Sequence, residues 1–136
     1  MPPSERRFLE KDFQTLFGKW ARHNLTTTAA LELKVSKTDS LQFSRLEDHQ
    51  FFALRAAKHS MVYHKIADGT QGRKPCDAFT IAGGDALIVV MFRCTVIGQK
   101  EFFLIDIDQW EQEAAGSRRS LTESRARAIG RVCRLV

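Results

Sequence analysis

Glu32-Leu33-Lys34 sets a carboxylate and an ammonium two residues apart in the chain. On a strand, residues at that spacing share a face, so the two groups project side by side. Such a carboxylate can hold a hard, oxygen-seeking cation. The lysine can position an attacking water, or stabilise charge developing on a phosphate. Hydrolysis of a phosphodiester needs parts of this kind. An exposed strand face carrying a cross-charged pair would show the same residues, so the tripeptide takes its meaning from its company.

Gln50 is the first companion. It falls on a helical stripe whose other members, Leu46, Ala53, Leu54 and Ala57, are apolar. A buried amide without partners costs roughly 1–3 kcal/mol. If that helix covers the strand of Glu32 and Lys34, Gln50 reaches the same pocket; otherwise it bonds to backbone. A metal needs a second carboxylate, and Asp77 is the candidate. It follows Pro75 at the start of an apolar strand, where side chains of neighbouring strands converge; its plain alternative is a strand-entry aspartate. Asp106 and Asp108 alternate with Ile105 and Ile107, as on the wet face of an outer strand. Glu10 borders the apolar stripe of the first helix and could reach the site from above. Glu5 lies nearer the middle of that stripe if the helix begins early, so the choice between them stays open. The histidines show no metal-ligand spacing, Gly83-Gly84 lacks the residues of a phosphate loop, and neither a nucleophilic triad nor a dinucleotide fingerprint is present.

The elements that must position these residues follow from periodicity. Leu9, Phe13, Leu16, Phe17 and Trp20 recur at helical steps, with Ser4 as N-cap. Thr26 to Val35 reads as a strand, with Leu31, Leu33 and Val35 on one face and Glu32 and Lys34 on the other. Ser44-Arg45-Leu46-Glu47 has the form of a capping box opening a helix to about Lys58. Val62–Ile66 and Cys76–Ile81 read as short strands. Ala86–Phe92 is almost wholly apolar, as expected of a central strand covered on both faces, and Phe102–Ile107 is its hairpin neighbour. Ser120-Leu121-Thr122-Glu123 repeats the capping-box form and predicts a last, basic helix over about 120–134, with Ala126, Ile129 and Val132 inward. The fold class is α/β in the mixed α+β sense, a single domain over 1–136 built as a layer sandwich.

The bulk numbers narrow the partners. A chain of 136 residues with 43% hydrophobic and 27% charged residues is a globular domain rather than a disordered segment. No apolar run approaches the roughly 18–20 residues needed to cross a bilayer, and the N-terminus lacks an apolar signal stretch, so a cytoplasmic protein without a membrane partner is expected. Cys76, Cys94 and Cys133 have neither zinc spacing nor an even count and read as reduced thiols. A net charge of +5 makes a polyanionic partner plausible. Beyond Ser117 the basic residues are all arginines, among them Arg118, Arg119, Arg125 and Arg127, opposed only by Glu123. Arginine suits forked phosphate contacts, though a solvated helical face would look the same.

The order of features resembles a known family. It comprises Glu10-x-x-Phe13-x-x-x-Phe17-x-x-Trp20, then Ala30-Leu31-Glu32-Leu33-Lys34, then Ser40-Leu41-x-Phe43-Ser44, then His49-Gln50-x-x-Ala53-Leu54. Lys65-Ile66-x-Asp68, Lys74-Pro75-Cys76-Asp77-x-Phe79 and Ser120-Leu121-Thr122 continue it. This run is similar to the small phage nucleases described as Holliday-junction-resolvase-like, or RecU-like, members of the PD-(D/E)XK superfamily. The resemblance implies a restriction-endonuclease-like mixed sheet flanked by helices. It implies a site in which an aspartate and the Glu-x-Lys pair surround one or two Mg²⁺ or Mn²⁺ ions, Glu32 ligating metal and Lys34 assisting the water. Gln50 then matches a polar position of the following helix, and Glu10 the glutamate of the N-terminal helix.

One departure stands out: His23 to Leu31, where the usual acidic residue would lie, contains no Asp or Glu. Asp77, in the family-like stretch, is expected to take over that ligand position. The implied function is a metal-dependent, structure-selective DNA endonuclease, acting as a homodimer on Holliday or other branched junctions. The alternatives are a catalytically incomplete DNA-binding protein on the same scaffold and a nuclease of linear duplex.

Overall fold

The computed structural model describes residues 10–24, 29–65 and 78–135. Asp77, Glu5, Ser4, Leu9 and Cys76 lie outside them. Helix α1 spans Glu10–Asn24, strand β1 Ala29–Val35, strand β2 Ser40–Gln42 and helix α2 Asp48–His59. Strands β3 (Met61–Lys65), β4 (Ala78–Ala82), β5 (Asp85–Met91) and β6 (Glu101–Asp106) follow. Helix α3 (Ile107–Ala114), strand β7 (Ser120–Thr122), helix α4 (Glu123–Ile129) and strand β8 (Arg131–Arg134) complete the described chain.

The expected mixed α/β architecture is present. A four-stranded sheet runs in the order β1-β5-β6-β8, and two small antiparallel pairs, β2-β7 and β3-β4, lie beside it. β1 is parallel to β5, which requires a crossover through α2; β6 is antiparallel to both β5 and β8. β5 is the central strand its composition demands. Ala86, Ile88 and Val90 enter one core with Leu54 and Ala57 of α2, while Val89 and Met91 enter a second with Phe13, Phe17 and Trp20 of α1. The two helices therefore cover opposite faces of the sheet. On the α1 side Phe102 is the keystone, with ring centroids 5.0 Å from Trp20, 5.7 Å from Phe17 and 5.8 Å from Phe13. Each such fully buried aromatic contributes on the order of 1.5–3 kcal/mol. Leu16 is 39% exposed, so the buried stripe of α1 is narrower than its periodicity suggested.

Both capping boxes are displaced from their expected positions, for the same reason. Ser44 lies in a 3₁₀ turn, Phe43–Arg45, because the chain is still tied there to the far end of the molecule. The Phe43 amide donates to the Arg119 carbonyl, and the Phe43 ring packs edge-on against Trp110. The helix starts only once the chain is released, and its true box is Glu47 with Gln50. Ala53, expected inside, is exposed. Ser120 likewise opens a strand, paired antiparallel with β2, and Thr122 becomes the cap of α4.

The last helix is cut short. A Cβ on Gly130 would come within 2.8 Å of the Leu104 carbonyl oxygen, so only glycine lets the chain run so close to β6. The following residues then pair with β6 as an edge strand, and Val132 is 41% exposed rather than on an inward helical face. That pairing also makes β6 an interior strand. Asp106 and Asp108 are accordingly not the wet face of an outer strand: Asp106 ends β6 and caps α3 by accepting from the Asp108 amide. Cys94 and Cys133 are buried thiols, and burial pushes the Cys133 pKa up. Among the described residues no helix is long and apolar enough to cross a membrane.

Candidate active site

Leu31, Leu33 and Val35 pack towards α1, so the alternation of β1 turns Glu32 and Lys34 to the α2 face, as the sequence pattern required. There they meet Gln50. The Lys34 Nζ lies 3.1 Å from Glu32 Oε1, and the Gln50 amide nitrogen donates to the same oxygen at 2.9 Å. The Gln50 Oε1 in turn accepts from the Glu47 amide at 3.0 Å, closing the capping box at the start of α2. One side chain thereby joins the helix N-terminus to the strand carboxylate. The partial positive charge of that terminus favours an anion at Glu32.

Lys34 is only 7% exposed, an unusual place for an ammonium. A buried charge persists when it is paired and hydrogen-bonded, and Glu32 supplies the pairing. Glu32 itself keeps a quarter of its side chain open, at 25%. Among the described residues both of its contacts fall on Oε1. Oε2 is the oxygen through which a hard cation could be held. The donor set fits such a cation in part: the described residues contain no group of three or more His, Cys, Asp and Glu placed to hold a metal. Further ligands must come from elsewhere, and Asp77 lies outside the described residues.

The other candidates separate clearly. Glu10 opens α1, on the opposite side of the sheet from Glu32, Lys34 and Gln50, and is not part of their cluster. Arg125 is committed to Glu113: its Nε donates to Oε2 at 3.2 Å, and a second, shorter bond joins NH2 to Oε1. This pairing holds the Glu113 carboxyl below its usual range and raises the guanidinium. Arg127 is bound to Glu101, lies within 3.8 Å of Glu123, and stacks 5.2 Å from the centre of the Phe103 ring. Both expected phosphate contacts thus engage a glutamate here, with 43% and 49% of their side chains exposed. Arg118 and Arg119 do remain exposed, and no ion pair engages them among the described residues. With Gln42, Ser44 and Ser117 they line a groove of about 460 Å³ beside the entry to α2.

A second ionic cluster escaped the sequence reading. Lys58 Nζ donates to both oxygens of Asp106, at 2.8 and 2.9 Å, and lies 2.6 Å from Asp108 Oδ2. His59 Nε2 is 2.8 Å from Asp108 Oδ1. Donating to Asp106 and then Asp108 raises the Lys58 pKa, and accepting from Lys58 and then His59 lowers that of Asp108. The available signal was the pair of basic residues ending α2 and an aspartate at a helix start, but nothing in the spacing joined them.

The fold is thus a mixed α/β sheet with helices on both faces and a Glu-x-Lys pair, its lysine buried, beneath one of them. No family model matches the chain, and neither a curated protein nor a solved structure matches it.

Proposed function

We propose that this chain is a metal-dependent, structure-selective DNA endonuclease that hydrolyses phosphodiester bonds, resolves Holliday or other branched junctions, and acts as a homodimer. The reading rests on one observation: a lysine buried to 7% exposure is held against a strand glutamate whose second oxygen is free among the described residues, with Gln50 fixing that glutamate to a helix N-terminus. A purely structural ion pair gains little from such burial, since replacing it by apolar groups is often neutral or stabilising. A catalytic pair needs the burial, because a dry site strengthens the action of its charges on a reacting phosphate.

In this mechanism Glu32 and Asp77 would hold Mg²⁺ or Mn²⁺, which would supply Lewis acidity at the scissile phosphate. Lys34 directs the attacking water and stabilises the charge gathering on the phosphoryl oxygens. Gln50 keeps the Glu32 carboxylate from rotating. Arg118 and Arg119 take phosphates flanking the cut, contacts that position the DNA without reading its sequence.

The test is cleavage of a labelled four-way DNA junction with Mg²⁺ or Mn²⁺ by the wild-type chain, Lys34→Ala and Asp77→Ala. Paired symmetric nicks that disappear in both variants are expected. Binding without cleavage by the wild type would overturn the endonuclease reading in favour of a DNA-binding scaffold. Linear duplex cut as fast as the junction would overturn the junction preference alone.

A further inference from the structure

The turn between β5 and β6 presents its apolar residues outwards. Ile97 is 91% exposed and Val96 is 56% exposed, in a chain whose other branched side chains are mostly buried. The turn is nonetheless tightly built. The Val96 amide donates to the Arg93 carbonyl at 3.0 Å, and the Gln99 amide to the Val96 carbonyl at 3.1 Å. The Gln99 side chain spans the base of the turn, donating to the Phe92 carbonyl and accepting from the Glu101 amide. Gly98 holds a φ of 83°, and Arg93, at a φ of 53°, accepts the left-handed backbone that the turn needs. Ile97 is therefore held out on a rigid support.

Its position matters more than its exposure. The Arg93 and Cys94 amides donate to the carbonyls of Thr38 and Ser36, which fastens the turn to the C-terminal end of β1. Lys34 lies two residues before Ser36, roughly 7 Å of strand away. Lys37, between the two fastening points, is exposed, and so are Lys100 and Arg134 on the other side of the turn. The nearby carboxylates of Glu123 and Glu101 are taken up by Arg93 and Arg127. Asp39 is the exposed carboxylate beside Lys37, and an apolar tip between exposed cations that form no ion pair among the described residues suits a polyanion whose interior is apolar, which is nucleic acid with a base step laid open.

We propose that Ile97 is a wedge that enters the base stack at the branch point of a DNA junction, with Lys37, Lys100 and Arg134 on the surrounding phosphates. This deepens, and rests on, the reading of the chain as a branched-DNA nuclease. Branched DNA suits such a wedge because stacking is already interrupted at the crossover, which lowers the cost of insertion. Selectivity for branches would then arise at the turn, apart from the hydrolytic residues.

The experiment uses the full chain and a four-way junction carrying 2-aminopurine beside the crossover, without divalent cations so that no strand is cut. Wild type, Ile97→Ser and Ile97→Leu are compared for binding and for the fluorescence rise that unstacking produces. A rise with wild type and Ile97→Leu that is lost with Ile97→Ser is expected. A junction that is bound without a rise, or with the same rise for Ile97→Ser, overturns the wedge alone. Failure of the wild-type chain to bind the junction overturns the wedge together with the functional reading. Ile97 touches little else, so an unchanged melting temperature for Ile97→Ser is expected and separates this outcome from misfolding.

Discussion

Helix α2 carries an ionic cluster at each end, and the two are built on opposite terms. At its N-terminus, Gln50 meets Glu32 and the buried Lys34. At its C-terminus, Lys58 and His59 meet Asp106 and Asp108. The second cluster is saturated: both oxygens of both aspartates have a partner, and its members stand between 29% and 50% exposed. It fastens α2 to the start of α3, and basic residues suit the negative end of α2. The first cluster is drier and less complete, with one carboxylate oxygen open among the described residues. Charge buried without full compensation does little for stability, and the proposed endonuclease gives this pair a chemical role instead. The arginines divide in the same way: Arg125 and Arg127 are spent on glutamates, whereas Arg118 and Arg119 form no ion pair among the described residues.

Breaking the N-terminal cluster should have the largest effect. Glu32→Ala leaves Lys34 buried without its partner and is expected to destabilise the fold by about 3 kcal/mol in denaturant titrations. The same variant should lose both junction cleavage and any stabilisation by Mg²⁺ or Mn²⁺ in thermal melts. A melt that still rises with metal would remove Glu32 from the proposed ligand set. Gln50→Ala is the intermediate case. It removes the donor to Glu32 and the acceptor for the Glu47 amide, and a loss of about 1–2 kcal/mol is expected. Restoration of cleavage but not of stability by Gln50→Asn would separate its two bonds.

The arginines sharpen the contrast through salt. Replacing Arg118 and Arg119 together by alanine should lower the slope of log affinity against log salt by about 2, one unit for each phosphate that is no longer neutralised. Arg125→Ala should leave that slope unchanged, and an equal fall would mean that the Glu113 pair opens on DNA.

The smallest effect is expected at the saturated cluster. Lys58→Met should cost less than about 1 kcal/mol at neutral pH, because exposed ion pairs contribute little. Its pH dependence carries the sign. The lowered pKa of Asp108 gives stability that is present above the ordinary carboxylate range and is lost as pH falls through the folded value. The raised pKa of Lys58 gives stability present below the ordinary lysine value and lost as pH rises through the folded one. The wild-type advantage over Lys58→Met should therefore be greatest at neutral pH and narrow at both extremes. A constant difference from acid to alkali would show that packing, not charge, is what Lys58 supplies.

Local pattern was enough where one periodicity acted alone. The alternation of β1 placed Glu32 and Lys34 on one face, and the apolar run Ala86–Phe92 marked the central strand. It failed where two segments compete for the same residues. Ser44 and Ser120 each have a helix-start pattern, yet β2 and β7 pair with each other, and this long-range pairing delays both helices. The final helix failed similarly, because Gly130 lets Arg131–Arg134 reach an open edge of β6.

The sequence by itself determined the α/β class, the face on which the Glu-x-Lys pair lies, and the core strand beside it, since these depend on side-chain periods of two and of 3.6. Only the tertiary structure decided that Gln50 reaches Glu32, that Lys34 is buried, and that Arg125 and Arg127 form ion pairs while, among the described residues, Arg118 and Arg119 form none. Those outcomes depend on which elements become neighbours, and neighbours distant in sequence leave no mark on the local pattern of either partner.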